Sequence, residues 1–288
     1  MDKKTVIIIG PGKVGSSLFL ALRQKSSYRV YLAGFKPLVS RFARYIPQDG
    51  YIELGLKNRL QHVDALIFTV PDDAIKPAAE AVRPLCSTCS ITVHTSGALD
   101  SSQLDVLKST GVQTGSWHPL QTFTKRFLDQ SFWQGITTTF EGDKEAELFI
   151  GDLCRHLGCR LIHIDRRQKP ALHIASVFCA NFLPALLSAG LSILKEEGFT
   201  PEQGKSLLLP LMRKSLKNME ENPFEKALSG PLQRADIGTL QRHTEFLLQK
   251  NMPQLTEIYR LLSKLLAGDK QLDINDRERV IQWLKKES

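Results

Sequence analysis

A chain of 288 residues, 42% hydrophobic and 24% charged, is long enough for two domains and has the balance of a globular protein rather than a disordered or fibrous one. A net charge of +8 raises nucleic acid as a partner, but the lysines and arginines are scattered, without an arginine-rich or aromatic-interleaved tract. Nucleic-acid binding is therefore not expected, and a general pull on anions, phosphorylated small molecules included, fits the charge better.

In chain order, MDKKTVIIIGPG breaks its apolar run too early for a signal peptide. The first half then alternates short apolar runs with helical patterns, as a parallel sheet with crossover helices does. Strands are predicted at 5–9, 29–33, 65–70, 91–94, 114–117, 136–140 and 160–164, with helices over 14–24 and 144–157. The character changes after Asp165, where RRQKP reads as a polar linker with Pro170 placed to open a helix. Helices are predicted over 171–197, stopped by Gly198, and over 201–219, 239–251, 253–266 and 276–285. The expected fold is α/β: a mainly parallel sheet domain over 1–165, then an all-helical domain over 166–288.

The helix 171–197 is apolar enough to suggest a bilayer, but His173, Ser176, Asn181, Ser188 and Ser192 are costly in lipid. A buried helix of a soluble protein, with no membrane contact, is expected. Five cysteines without an export signal point to reduced thiols in a cytoplasmic protein. Cys86 and Cys89 form a C-x-x-C pair, and Cys154 and Cys159 a looser one, but no histidine stands at ligand distance. All five are read as small apolar residues, and no metal site is expected.

Chemistry enters with TVIIIGPGKVG, where Gly10, Gly12 and Gly15 take G-x-G-x-x-G spacing after a strand and before a helix. Gly10 permits the tight turn, Gly12 lets the backbone approach a pyrophosphate, and Gly15 lets helix pack on strand. Pro11, Lys13 and Val14 complete the loop, and the free N–H groups of the helix start offer positive partial charge to phosphates. At the end of the second strand an NAD enzyme places Asp or Glu on the ribose. Here stand Gly34, Phe35 and Lys36, with Arg41 beyond, so NADP is favoured over NAD.

Later strands end in VPDD (70–73), HTSG (94–97) and SWHP (116–119), at the sheet edge where ligands of open parallel sheets sit. Val70 and Pro71 are expected to border the cofactor, with Asp72 or Asp73 capping a helix from Ala74. His94 and Ser96 form a polar turn that could orient the nicotinamide or the substrate. His118 is the leading general acid, since imidazole exchanges protons near neutral pH. In the helical half, His173, Ser176 and Asn181 share one broad helix side, and Pro184 is expected to bend the helix. Arg234, in SGPLQRADIGTLQRH, could clamp a carboxylate or phosphate, and Asp236 caps the next helix.

Together GPGKVG, VPDDAI, HTSGAL, SWHPLQTF, the H-x-x-S-x-x-x-x-N helix and GPLQRAD resemble the Rossmann-like NADP oxidoreductases that carry the C-terminal domain of unknown function 2520. That family is related in fold to pyrroline-5-carboxylate reductase and 6-phosphogluconate dehydrogenase. The resemblance implies a Rossmann domain joined to a helical dimerisation domain, hence a homodimer, and admits a deazaflavin in place of nicotinamide. SWHP also resembles a segment of prephenate dehydrogenases, and HTSGAL followed by SWH is similar to 3-hydroxyacyl-CoA dehydrogenases, whose catalytic histidine would fall on His118. The lysine-then-asparagine pair of hydroxyacid dehydrogenases is missing from the long helix, where His173 and Asn181 stand.

The expected function is an NADP-dependent oxidoreductase acting on a small C=O or C=N substrate. His118, His94, Ser96 and Asn181 would form the catalytic set, with His173 and Arg234 holding substrate. The alternative is a non-catalytic NADP(H)-binding sensor or scaffold.

Overall fold

The computed structural model describes residues 3–24, 27–55, 63–83 and 89–286, without the side chains of Arg41 and Gln48. Eight strands form one sheet in the order β3-β2-β1-β4-β5-β6-β7-β8. They are β1 (Lys4–Ile9), β2 (Tyr28–Gly34), β3 (Tyr51–Glu53), β4 (Val63–Phe68), β5 (Cys89–His94), β6 (Gln113–Pro119), β7 (Thr137–Gly142) and β8 (Arg160–His163). All neighbours pair in parallel except β6 with β7. The order 3-2-1-4-5-6 is that of a dinucleotide-binding Rossmann sheet.

Two apolar layers explain the continuous runs. Val6 and Ile8 of β1 pack with Leu18, Phe19 and Leu22 of α1 (Lys13–Arg23) on one face. Ile7 and Ile9 pack on the other with Ile75, Ala79 and Val82 of α2 (Asp72–Val82) and with Leu107 of α3 (Asp105–Lys108). A strand covered on both sides needs apolar residues at every position, so TVIII does not alternate. Phe149, Ile150 and Leu153 of α4 (Lys144–Leu157) close the first layer, together with the stacked pair Trp117 and Trp133.

One strand was not expected, and two expectations change. The three-residue strand β3 is too short to show a period. The strand through SWHP does not stop at the histidine: Pro119 stays in register with Thr138, which works because β7 reaches it from one side and needs no N–H from the proline. Neither Asp72 nor Asp73 accepts a capping hydrogen bond. Pro71 is the cap residue, and both carboxylates lie in the first turn of α2, where they suit the helix dipole. The C-x-x-C pair cannot be followed, because Cys86 lies outside the described residues.

The long helix runs as α5 (Gln168–Ser176), a π turn at Val177–Asn181 and α6 (Leu183–Lys195). The π turn precedes Pro184, whose missing N–H releases a carbonyl one turn earlier. Contrary to expectation this helix is not buried. Lys169 is its one buried residue, and Ile174, Phe178, Phe182 and Leu186 are 58, 62, 46 and 47% exposed.

The chain divides into compact units of residues 1–180 and 181–288. The division falls within the π turn, and α5 on the first side of it is tied to the sheet by the Lys169 ammonium, which donates to the Ser96 carbonyl. The second unit contains α6, α7 (Pro201–Glu221), α8 (Ile237–Gln249), α9 (Pro253–Gly268) and α10 (Arg277–Lys286). Leu232, Leu240, Val280 and Trp283 form its core.

Candidate active site

The turn after β1 is shaped as a cradle. Gly10 has φ +111°, a left-handed conformation that favours glycine, and its N–H donates to the Ala33 carbonyl at 2.9 Å. A Cβ on Gly15 would collide with the Gly10 carbonyl and Thr69 Oγ1, whereas one on Gly12 would meet only the Thr69 carbonyl at 3.7 Å. The space in front of Gly12 is therefore open while Gly15 is sealed. Gly12 caps α1 without a side-chain bond, and the first turn carries no acidic residue. Its N–H groups remain for an anion. Lys13 is exposed beside them, and Pro11 and Val14 are half-buried.

Beyond β2, Lys36 is exposed and its carbonyl accepts from Tyr51 Oη at 2.7 Å. The Arg41 side chain lies outside the described residues. A cleft of about 360 Å³ is lined by Pro11, Phe35, Lys36, Val39, Phe42 and Tyr51. On the other side of Phe35 a second, of about 300 Å³, is lined by Val70, Ala74 and Pro77. Pro71 is exposed next to Val70. The window after β2 holds no carboxylate, but β3 brings Glu53 into register with Gly34, a neighbour no local reading reveals.

At the ends of β5 and β6 the polar residues divide into two kinds. His94 is fully buried, its Nε2 donating to the Asp100 carbonyl (2.8 Å) and its Nδ1 accepting from the Ser96 N–H (3.2 Å). Both nitrogens are used by one neutral tautomer, and burial pushes the pKa down to about 4. Ser96 Oγ is likewise engaged, accepting from the N–H groups of Ala98 (3.1 Å) and Leu99 (2.9 Å). These two residues build the turn.

His118 and His173 are different. Both are half-buried, and neither ring has a hydrogen-bond partner among the described residues. Their centroids are 6.4 Å apart, and both converge on Gly97, where a Cβ would lie 2.8 Å from His118 Nε2 and from His173 Nδ1. Burial, then the nearby Lys169 ammonium, then His173, hold the His118 pKa down to about 4. At neutral pH the ring is therefore neutral, offering one donor and one acceptor rather than a stored proton.

Lys169, read from sequence as part of a linker, is 2% exposed and donates to the Ser96 carbonyl at 2.8 Å. Burial lowers its pKa to about 8, against the opposing pull of Glu141, Asp72 and Asp100. Glu141, 4% exposed, accepts from Ser101 N (2.5 Å) and Ser101 Oγ (3.0 Å). Arg166 pairs with Asp100 at 3.4 Å. This network fixes the turn after Leu99 against the start of α5. The one local signal for Lys169 was its four-residue spacing from His173, which puts both on one helix face.

Ser176 Oγ bonds back to the Leu172 carbonyl at 2.8 Å. Asn181 and Arg234 belong to the second unit, and both are exposed. Asp236 does cap α8, accepting from Thr239 N at 3.1 Å.

Residues 136–266, from the start of β7 to near the end of α9, match the family described as "Domain of unknown function (DUF2520)". Three solved structures are similar. BF3122 of Bacteroides fragilis, described as a "putative NADP oxidoreductase", has a TM-score of 0.69 and 23% identity, over 91% of this chain and 97% of that one. TM1727 of Thermotoga maritima has a TM-score of 0.70 and 20% identity, over 98% and 99%. An imine reductase from Myxococcus stipitatus in complex with NADP+ has 0.65 and 16%, over 96% and 99%. At these identities the likeness establishes the fold, a Rossmann-type sheet with a helical C-terminal part. Among curated proteins there is no match.

Proposed function

We propose that this chain is a cytoplasmic, NADP-dependent oxidoreductase that reduces or forms a small C=N or C=O centre. One observation carries the reading: an open, uncapped phosphate turn and a pair of unpartnered imidazoles stand at the carboxyl edge of one parallel sheet. The open face at Gly12 fits a dinucleotide diphosphate, and the clefts on either side of Phe35 fit the adenosine half. Solved structures of the same fold hold NADP, including the Myxococcus stipitatus imine reductase, which supports that cofactor over NAD or a deazaflavin. NADPH, when bound, supplies a hydride.

The chain's own residues then have separable tasks. The N–H groups at the start of α1 hold phosphate, while Val70 and Pro71 border the cofactor. His94 and Ser96 keep the turn that aims Gly97 at the substrate. His118, neutral and unpartnered among the described residues, hydrogen-bonds the reacting oxygen or nitrogen and can pass it a proton only as another is returned to the ring, since a neutral imidazole is no acid near pH 7. His173 lies on the other side of Gly97 and orients the substrate. Lys169, an ammonium whose pKa is about 8, is the nearby reserve from which that proton is replaced. Asn181 and Arg234, both exposed in the second unit, are groups suited to a substrate's polar atoms, Arg234 to a carboxylate.

The experiment is a spectrophotometric assay of NADPH oxidation against cyclic imines, 2-oxoacids and acyl-CoA analogues, with His118→Ala as the comparison. Turnover on one class, cut by roughly 100-fold or more in the variant, is the expected result. Tight NADPH binding with no oxidation of any class, unchanged by the substitution, would sink the catalytic reading in favour of a sensor.

A further inference from the structure

The loop between β6 and β7 packs on the start of α1. The N–H groups of Phe127 and Leu128 donate to Ser16 Oγ and Ser17 Oγ, both at 3.1 Å. Those hydroxyls donate in turn to the carbonyls of Gly12 (2.6 Å) and Lys13 (2.8 Å). Phe127 has a left-handed backbone (φ 56°), uncommon for an aromatic residue, and its ring stacks on Tyr45 at 4.4 Å and meets Phe42 edge-on at 5.2 Å. Hydrogen bonds tie the loop to the phosphate turn, and aromatic rings tie it to the segment after β2.

Between those two attachments sits Arg126. Its Nε donates to the Pro11 carbonyl at 3.2 Å, and its guanidinium carbon lies 5.3 Å from the Phe42 ring centroid. The side chain is exposed, and among the described residues its terminal nitrogens have no hydrogen-bond partner and no carboxylate within ion-pair distance. Pro11 and Phe42, the two residues it rests on, both line the cleft of about 360 Å³.

We propose that Arg126 is a specificity residue of this site, its guanidinium taking the phosphate on the adenosine ribose and so setting the preference for NADP over NAD. The proposal rests on the dinucleotide reading above. An arginine whose Nε is anchored and whose two terminal nitrogens are open presents the fork that grips a phosphate bidentately. Contact with a ring and a carbonyl has already removed much of its freedom, so little ordering remains to oppose binding. Lys36 lines the same cleft as Pro11 and Phe42 and adds positive charge there.

The test is an equilibrium titration of the full chain with NADPH and with NADH, read by calorimetry, for the unaltered protein, Arg126→Ala and Arg126→Lys. Arg126→Ala is expected to weaken NADPH roughly tenfold or more and NADH by less than about twofold. Arg126→Lys should fall between, and the NADPH loss should narrow as salt is raised. An unchanged ratio of the two affinities, or an equal loss of both, overturns the assignment. Failure of the unaltered chain to bind either nucleotide would instead bring down the dinucleotide reading and the proposal with it, a result distinct from binding at an unchanged ratio. Thermal melting of each variant controls for loss of the loop.

Discussion

At the scale of single residues, Lys169 is the clearest case of a buried charge that costs the fold stability. It is 2% exposed with one acceptor, and burial takes its pKa from 10.5 to about 8, a difference of roughly 3 kcal/mol. Because the folded pKa is the lower one, the unfolded chain takes up the proton first as pH falls. Stability is thus lost between pH 10.5 and 8 and stays at the lower level below. Lys169→Met removes this penalty but leaves the Ser96 carbonyl without its donor, a cost of about 1–3 kcal/mol. The variant is therefore expected to be as stable as the unaltered chain at pH 7, or more so by ~1 kcal/mol. That relative advantage should disappear toward pH 10, while NADPH oxidation is lost at every pH. Denaturant titrations at pH 7 and pH 10 measure it. A variant several kcal/mol less stable at pH 7, by the same margin at pH 10, would make Lys169 a structural anchor and end its role as proton reserve.

At the scale of elements, the β1–α1 turn separates what folding needs from what the proposed binding would need. Gly15 touches Gly10 and Thr69, so Gly15→Ala forces backbone apart and is expected to cost about 1–3 kcal/mol of stability. Gly12 has φ −76° and open space before it, so Gly12→Ala should melt with the unaltered chain yet bind NADPH at least about tenfold more weakly, its methyl filling the anion's place. Melting curves with and without NADPH decide it, and equal destabilisation by both substitutions would refute the division. This turn was legible in sequence because spacing, strand and helix coincide locally. So were the long apolar strands and the helix at 144–157, whose Gly158 adopts the left-handed cap at φ 78°. The rest depends on distant partners. Glu53 reaches Gly34 only through a three-residue strand, and Arg126 finds Pro11 from 115 residues away. His94 and His118 look alike in sequence, and only packing shows one satisfied and the other open.

At the scale of the whole molecule, the uncovered helix has to be explained. Residues 168–195 form a 28-residue helix with an 18-residue stretch of mean hydropathy 1.9, long and apolar enough by composition to cross a membrane. Ile174 and Leu186 are 58 and 47% exposed, part of an apolar stripe that a helix normally packs against something. Ser176, Asn181, Ser188 and Ser192 interrupt the apolar surface, which disfavours lipid as the cover. Leu207, Leu211 and Leu216 of α7 add further exposed apolar area. We propose a second copy of the chain as the occupant, since an identical stripe meeting its own image buries both at once. Sedimentation equilibrium at micromolar concentration is expected to give a dimer, and the double variant Ile174→Asp, Leu186→Asp a folded monomer by circular dichroism. A monomeric unaltered chain, a dimer indifferent to both aspartates, or partition of the unaltered chain into neutral lipid vesicles would each contradict this. If the dimer forms, loss of activity in the monomer with NADPH affinity retained would show that the substrate site, unlike the phosphate turn, is completed by association.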